Sequence, residues 1–345
     1  MENLDILDLL NKSNDGNREC INKLNNFYWE YNLENINVDQ LLQDNNAVMN
    51  KSYGYSFMAR LYLYGTIVEK NIQTAIDLCE KSMQSECCDG YYLMPTMVLD
   101  KTIDPIKFGT YKSLLNKSME LNNSNAYLLT AYDLFETIKY NDDNKIYINK
   151  QANIDKYIEL LNKSINLENS NALLKLGQLY HDGEYVEKNI NLACEYYNKG
   201  CILNNSHCYF NMAVMYREGD LPININKSIK LFKKSIELGN IKALTCLGHI
   251  YVCKHNYKNA KKYYKMAIEK NDPLACHHLS MLYENENKIM NAITILQKGS
   301  NLGCYNCFMR LNDYGISSNA SKDDIMKYIN FTKSFENLGA YDSNF

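Results

Sequence analysis

Residues 179–190 read LYHDGEYVEKNI and residues 61–72 read LYLYGTIVEKNI, eight identities in twelve positions at an offset of 118 residues. A chain that writes one stretch twice is constrained to an architecture of stacked copies. From Ala172, Leu176 follows at +4, Gly177 at +5, Tyr180 at +8 and Gly183 at +11, with Ala193, Tyr197 and Lys199 later in the same unit. The template recurs from Gly54 (Met58, Ala59, Tyr62, Gly65, Ala75, Lys81) and from Cys208 (Met212, Ala213, Tyr216, Gly219, Ser228, Phe232, Lys234). Shorter copies start at Ala243 and Ala275, degenerate ones at Gly90 and Ala126, and a last one near Asn306. The starts are thus 54, 90, 126, 172, 208, 243, 275 and 306. The one long interval, 46 residues from Ala126, holds a polar stretch, ETIKYNDDNKIYINK over 136–150, which is expected to be an exposed loop insertion.

Positions 0, +4 and +8 fall on one face of a 3.6-residue period, so each unit opens with a helix, A. Small residues at +5 (Gly177, Ala213, Gly248) let a neighbouring helix come close. Gly65, Gly183 and Gly219 suit the left-handed position that ends a helix. Val68 and Val186 then tuck the connection against the core, and Asn71 and Asn189 cap a second helix, B. In the second unit Asp104-Pro105 takes the capping role. The tyrosines at +8 are expected in the core. One hairpin cannot cover its own apolar side, and stacking buries it. The fold class is therefore all-α: a right-handed α-α superhelical solenoid of about eight helical hairpins. Residues 1–51, with ILDLLNK and FYWEY, form an N-terminal helical cap; 52–340 the array; 341–345 a tail.

The landmarks A-x3-LG-x2-Y-x2-G-x2-V-x2-N-x3-A-x3-Y-x-K resemble the Sel-one-like repeat family, a subclass of tetratricopeptide-like α-solenoids. Residues 172–205 carry the pattern most fully, the units from Gly54 and Cys208 carry it well, and the final units drift toward plain tetratricopeptide form. The resemblance implies a scaffold or adaptor that assembles other proteins. It also brings in a cysteine-rich secreted branch linked to β-lactam hydrolysis, which carries a regular disulfide in each unit. The twelve cysteines here share no position from unit to unit. Free thiols are the expectation, and the hydrolase remains only as an alternative.

A net charge of −3 over 345 residues gives no global attraction to nucleic acid or membrane. No apolar run approaches the length of a membrane span and the start of the chain has no signal-peptide pattern, so the expected location is cytoplasmic. No phosphate loop, GxSxG or HExxH motif appears, and no enzyme activity or cofactor is expected. Potential metal ligands gather late in the array (Cys246, His249, Cys253, His255, Cys276, His277, His278, Cys304, Cys307) with a single CxxC edge at Cys304 and Cys307. Zinc sites at finger spacing need a second such edge. These are read as buried structural thiols with surface or rim histidines, and no metal site is expected.

Residues 226–270 hold eleven lysines against two glutamates. Elsewhere an acid precedes the repeat lysine by four residues (Asp77 before Lys81, Glu159 before Lys163, Glu195 before Lys199), the favourable i,i+4 order. In two consecutive units that acid is replaced: Lys230 stands before Lys234 and Lys261 before Lys265, with Lys227 and Lys258 one turn earlier. Lys227, Lys230, Lys234, Lys258, Lys261 and Lys265 form a candidate stripe for an anionic partner, a solvated lysine face being the competing reading. The leading expectation is a non-enzymatic protein–protein interaction scaffold or adaptor. It would bind an extended or helical segment in the groove of its A helices, with some tyrosines lining that groove. A polyanion or acidic-segment binder is the alternative.

Overall fold

The computed structural model describes residues 3–15, 20, 51–65, 68–99, 110–144 and 149–317. Among them there are sixteen helices and no strand. The helices are α1 (Asn3–Asn14), α2 (Ser52–Tyr64), α3 (Ile72–Gln84), α4 (Cys88–Leu99), α5 (Tyr111–Glu120), α6 (Ser124–Asp143), α7 (Lys150–Asn166) and α8 (Ser170–Asp182). They continue with α9 (Ile190–Ile202), α10 (Ser206–Glu218), α11 (Ile225–Glu237), α12 (Lys242–Cys253), α13 (Tyr257–Glu269), α14 (Pro273–Asn285), α15 (Ile289–Asn301) and α16 (Tyr305–Asp313). Two compact units, residues 1–212 and 213–345, divide the chain within α10. In the first, α2 packs on α3, α4 on α5, α6 on α7 and α8 on α9; in the second, α12 packs on α13 and α14 on α15. Consecutive helical hairpins are thus the building block of both, and the chain has the solenoid fold its repeats imply. Asp104-Pro105, FYWEY and residues 318–345 lie outside the described residues.

Within a unit the connection from A to B follows from local chemistry. Gly65 (φ 65°) and Gly183 (φ 71°) end α2 and α8 in the left-handed region, where a side chain would be strained. Asn71 and Asn189 cap α3 and α9 by accepting from Thr74 N and Leu192 N, both at 3.0 Å. Their own N–H groups donate to the carbonyls of Tyr62 and Tyr180, the +8 tyrosines, at 3.0 and 2.8 Å. Val186 packs half-buried on the core beside them. The close approach expected at +5 is present: a Cβ on Gly177 would lie 2.4 Å from the Tyr197 ring, and one on Gly248 2.5 Å from that of Tyr264. Helix B therefore fills the core with Tyr197 and Tyr264, each 1 % exposed. The +8 tyrosines were expected there, and they are instead half-buried, Tyr180 stacked on Tyr196 and Tyr251 on Tyr263 at the edge of the hairpin.

Between hairpins a second set of bonds operates. Asn122, Glu168, Asn204 and Asn271 turn the chain at φ between 59° and 61°. The next residue is an N-cap that serves two helices at once. Asn123 accepts from Asn125 N and Ala126 N while its Nδ2 donates to Asp89 at 2.7 Å. Asn169 caps α8 and donates to Asn125 Oδ1 at 2.9 Å. Asn205 caps α10 and donates to Asn171 Oδ1 at 3.0 Å. The A helices α6, α8 and α10 are thereby each registered on the one before by a buried amide. The serine after the repeat lysine ties B to A inside a hairpin: Ser82, Ser118 and Ser164 donate to the carbonyls of Ser52, Cys88 and Ser124 at 3.0, 2.7 and 2.8 Å. That bond explains why the landmark reads Lys-Ser so often.

The stretch 136–150 departs from expectation. It is not a loop throughout: α6 runs on to Asp143, twenty residues where the other repeat helices have nine to seventeen. Glu136, Thr137 and Lys139 point one polar side of those added turns to solvent while Ile138 is buried on the other. A polar run with one apolar residue per turn reads as loop by composition and folds as helix when its neighbour covers that residue.

Candidate functional site

A groove runs beside α6, to which the added turns contribute Lys139. Its wall faces α8 across a cleft of about 540 Å³, floored by Tyr157 of α7 and closed at one end by the α8–α9 connection. Phe135 is the centre. Its ring stacks on Tyr157 at 4.8 Å and meets Tyr185 edge-on at 5.3 Å. Lys139 lies 4.8 Å over the face of Phe135 and pairs with Glu136 at 3.3 Å. Lys150, the last residue of the insertion, pairs with Asp142 at 2.5 Å and covers the Tyr185 ring at 5.5 Å. On the opposite wall Lys175 stands 5.2 Å over Tyr132. Such contacts between ring faces and cations are favourable by about 0.5–2 kcal/mol each according to burial.

The electrostatics follow from that half-dry setting. Burial pushes the Lys175 ammonium below its ordinary pKa; Lys139 adds to this and Glu136 opposes it. Burial raises the Tyr132 phenol to about 12, so it remains a neutral donor. The described residues that line the cleft include no cysteine, serine or histidine. What the cleft offers is aromatic surface with both signs of charge at its rim, a combination suited to an amphipathic segment. The sequence pointed to a groove of A helices and to tyrosines within it. It did not single out Phe135 or Lys175.

The six stripe lysines divide. Lys227, Lys230 and Lys234 lie on α11, and Lys258, Lys261 and Lys265 on α13. Two on α11 are locally engaged: Lys227 bonds Tyr216 Oη at 2.5 Å and covers its ring, and Lys234 pairs with Glu237 at 3.1 Å. The three on α13 share a groove of about 770 Å³ with Lys262 and Lys288, two residues the sequence reading did not mark. Glu286 reaches into it, 2.6 Å from Lys261 and 2.8 Å from Lys288. Those two ammonium groups hold its carboxyl down to about 2. A third cleft, about 680 Å³, opens between α5 and α7 over α6. Of its three lysines, Lys112, Lys156 and Lys163, the last two are paired with Glu159.

The late Cys and His residues differ in burial: Cys276, Cys304 and Cys307 are buried, Cys246 is half-buried, and Cys253 and His255 are exposed. All twelve cysteines are free thiols, eight of them buried. Cys276 and Cys307 converge on Gly299, where an added Cβ would lie 2.7 Å from one and 2.4 Å from the other. His277 and His278, expected at the surface or rim, are both half-buried, and the His278 ring lies 5.0 Å from that of His249 and 5.6 Å from that of Tyr264. No group of three or more His, Cys, Asp or Glu among the described residues is placed to hold a metal ion. Nor is any described helix long and apolar enough to cross a membrane.

Comparison with known proteins bears on the repeats. The Sel1 repeat model matches residues 52–83, 170–205, 206–240 and 247–272. These correspond to α2–α3, α8–α9, α10–α11 and the end of α12 with α13. A protective antigen of uropathogenic Escherichia coli displaying an SLR fold is similar over 95 % of this chain and 71 % of its own, with a TM-score of 0.52 and 16 % identity. A Sel1 repeat protein from Oxalobacter formigenes is similar over 70 % of this chain and 93 % of its own, with a TM-score of 0.50 and 19 % identity. No functionally curated protein matches the chain. At these identities the solved structures speak for the fold alone. The chain carries Sel1 repeats over those four segments, in hairpins of the same fold as these two structures.

Proposed function

We propose that the chain is a non-enzymatic scaffold that binds a segment of another protein in the groove between α6 and α8. Sel1-repeat proteins generally act as protein-interaction scaffolds, and one observation carries the reading for this chain. The repeat that departs from the period spends its extra residues on a longer α6, and that extension supplies Lys139 to the aromatic groove and Asp142 to the lysine, Lys150, that covers Tyr185. A solenoid needs no such extension to stack. The occupant is an amphipathic segment that places an aromatic or long aliphatic side chain against Phe135 and Tyr185, with acidic groups toward Lys175 and Lys139.

A random peptide library displayed on phage and panned against the full-length protein tests this. Selected peptides should share an apolar anchor flanked by acidic residues, and their enrichment should vanish on a Tyr185→Ala, Lys175→Glu double variant whose melting temperature is retained. Enrichment that survives in the double variant would contradict the assignment. So would β-lactam turnover by the purified protein, which would favour the hydrolase alternative.

A further inference from the structure

We infer that the lysine groove on α13 is a second docking surface, one that takes an acidic segment of a partner protein. Its place in the chain and its test are independent of the aromatic groove. Lys258, Lys261, Lys262 and Lys265 recur at i, i+3, i+4 and i+7. That is the spacing by which a helix normally presents an apolar stripe, here occupied by cations on one face. Four like charges on adjacent turns repel one another and weaken the helix. Lys288, at the start of α15, adds a fifth from the opposite wall. The groove carries five lysines against two glutamates, Glu269 and Glu286, in a chain whose net charge is −3.

The groove already shows what it accepts. The Glu286 carboxylate sits between Lys261 and Lys288 at 2.6 and 2.8 Å, so a carboxylate at this site finds two ammonium donors. Lys258 and Lys265 form no ion pair among the described residues, and Lys262 has only the Tyr263 ring at 6.0 Å. These three leave room for further carboxylates along the same stripe. Met266 and Tyr283 line the groove beside them and supply apolar contact for the intervening side chains. This mixture favours a protein segment over a nucleic acid. A phosphodiester backbone would meet the two glutamates and would gain nothing from Met266, whereas a peptide bearing Glu or Asp among Leu or Phe answers every feature of the lining. The original stripe is thereby redrawn: Lys227 and Lys234 are spent on Tyr216 and Glu237, while Lys262 and Lys288 belong to it.

The test is fluorescence anisotropy with a fluorescein-labelled peptide that alternates pairs of glutamate with leucine, titrated with the full-length protein at low and physiological salt. Saturable binding is expected, falling as salt rises. Lys258→Glu with Lys265→Glu should weaken it by about tenfold or more, and the glutamine counterpart of the peptide should not bind. Glu286→Gln, which removes no lysine and frees Lys261 and Lys288, should tighten binding by roughly a few-fold and carries the test even where charge reversal disturbs folding. Peptide binding unchanged by the lysine reversals, or weakened by Glu286→Gln, would overturn the assignment. So would a labelled single-stranded RNA that binds more tightly than the peptide and is lost in the same lysine variant. Tyr185→Ala should leave this affinity unchanged; a parallel loss there would place the peptide in the aromatic groove instead and overturn the proposal.

Discussion

The Nδ2 of Asn169 donates to the Oδ1 of Asn125 at 2.9 Å, and both amides are buried. Asn169 also accepts from two backbone N–H groups at the start of α8. Removing it takes away a helix cap, about 1 kcal/mol, and strands a buried partner at about 1–3 kcal/mol. Asn169→Ala should therefore lower the melting temperature clearly more than Asn189→Ala, whose capping bond to Leu192 N is solvent-exposed. Paired thermal melts check this. Equal losses would mean the inter-hairpin bond adds nothing.

The Gly177–Tyr197 contact predicts a second asymmetry. Gly177→Ala normally improves a helix by about 1 kcal/mol through propensity. Here its Cβ would enter the Tyr197 ring, at 2.4 Å, and overpacking of that kind costs about 1–3 kcal/mol. Destabilisation of the single variant by thermal or urea melts is the expected result, with Gly248→Ala behaving alike against Tyr264.

Acidification acts through His278. Burial, with His249 and His277 nearby and Asp272 opposing, depresses its pKa from 6.5 to about 4. The folded state thus disfavours the protonated ring. The resulting stability is fully present above the unfolded value of 6.5 and is lost as pH falls from there toward 4. Melting temperatures across that window should fall less steeply for His278→Gln than for the parent chain.

Thiol accessibility separates the scaffold from the disulfide-bearing hydrolase. Denatured protein should titrate twelve thiols without reductant, and the native protein should react fastest at Cys253, the one cysteine that is exposed. Fewer than twelve would reveal disulfides and reopen the hydrolase reading.

The periodic part of the fold was legible because it depends on local rules. A left-handed glycine at 65 and 183, an asparagine cap at 71 and 189, and a small residue at 177 each act within one hairpin. What escaped depends on neighbours. The capping asparagines at 123, 169 and 205 stand three residues before the landmark in the sequence, yet in an asparagine-rich chain their spacing carries little signal until their amides are seen to reach the preceding hairpin. The helix over 136–143 was hidden for the same reason, since Ile138 is its only buried residue and needs a neighbouring helix to cover it. Lysine spacing identified the face of α13 but could not show that Lys227 would be satisfied by Tyr216, nor that Lys288 would face Lys261 across Glu286.

The most direct measurement is isothermal titration of a library-selected peptide into the parent protein and into Tyr185→Ala. Loss of a central aromatic anchor costs about 2 kcal/mol or more, a weakening of about thirtyfold. That loss, with Lys258→Glu leaving the same peptide's affinity unchanged, is the predicted result. An affinity unaltered by Tyr185→Ala would contradict the assignment of the α6–α8 groove as the binding site.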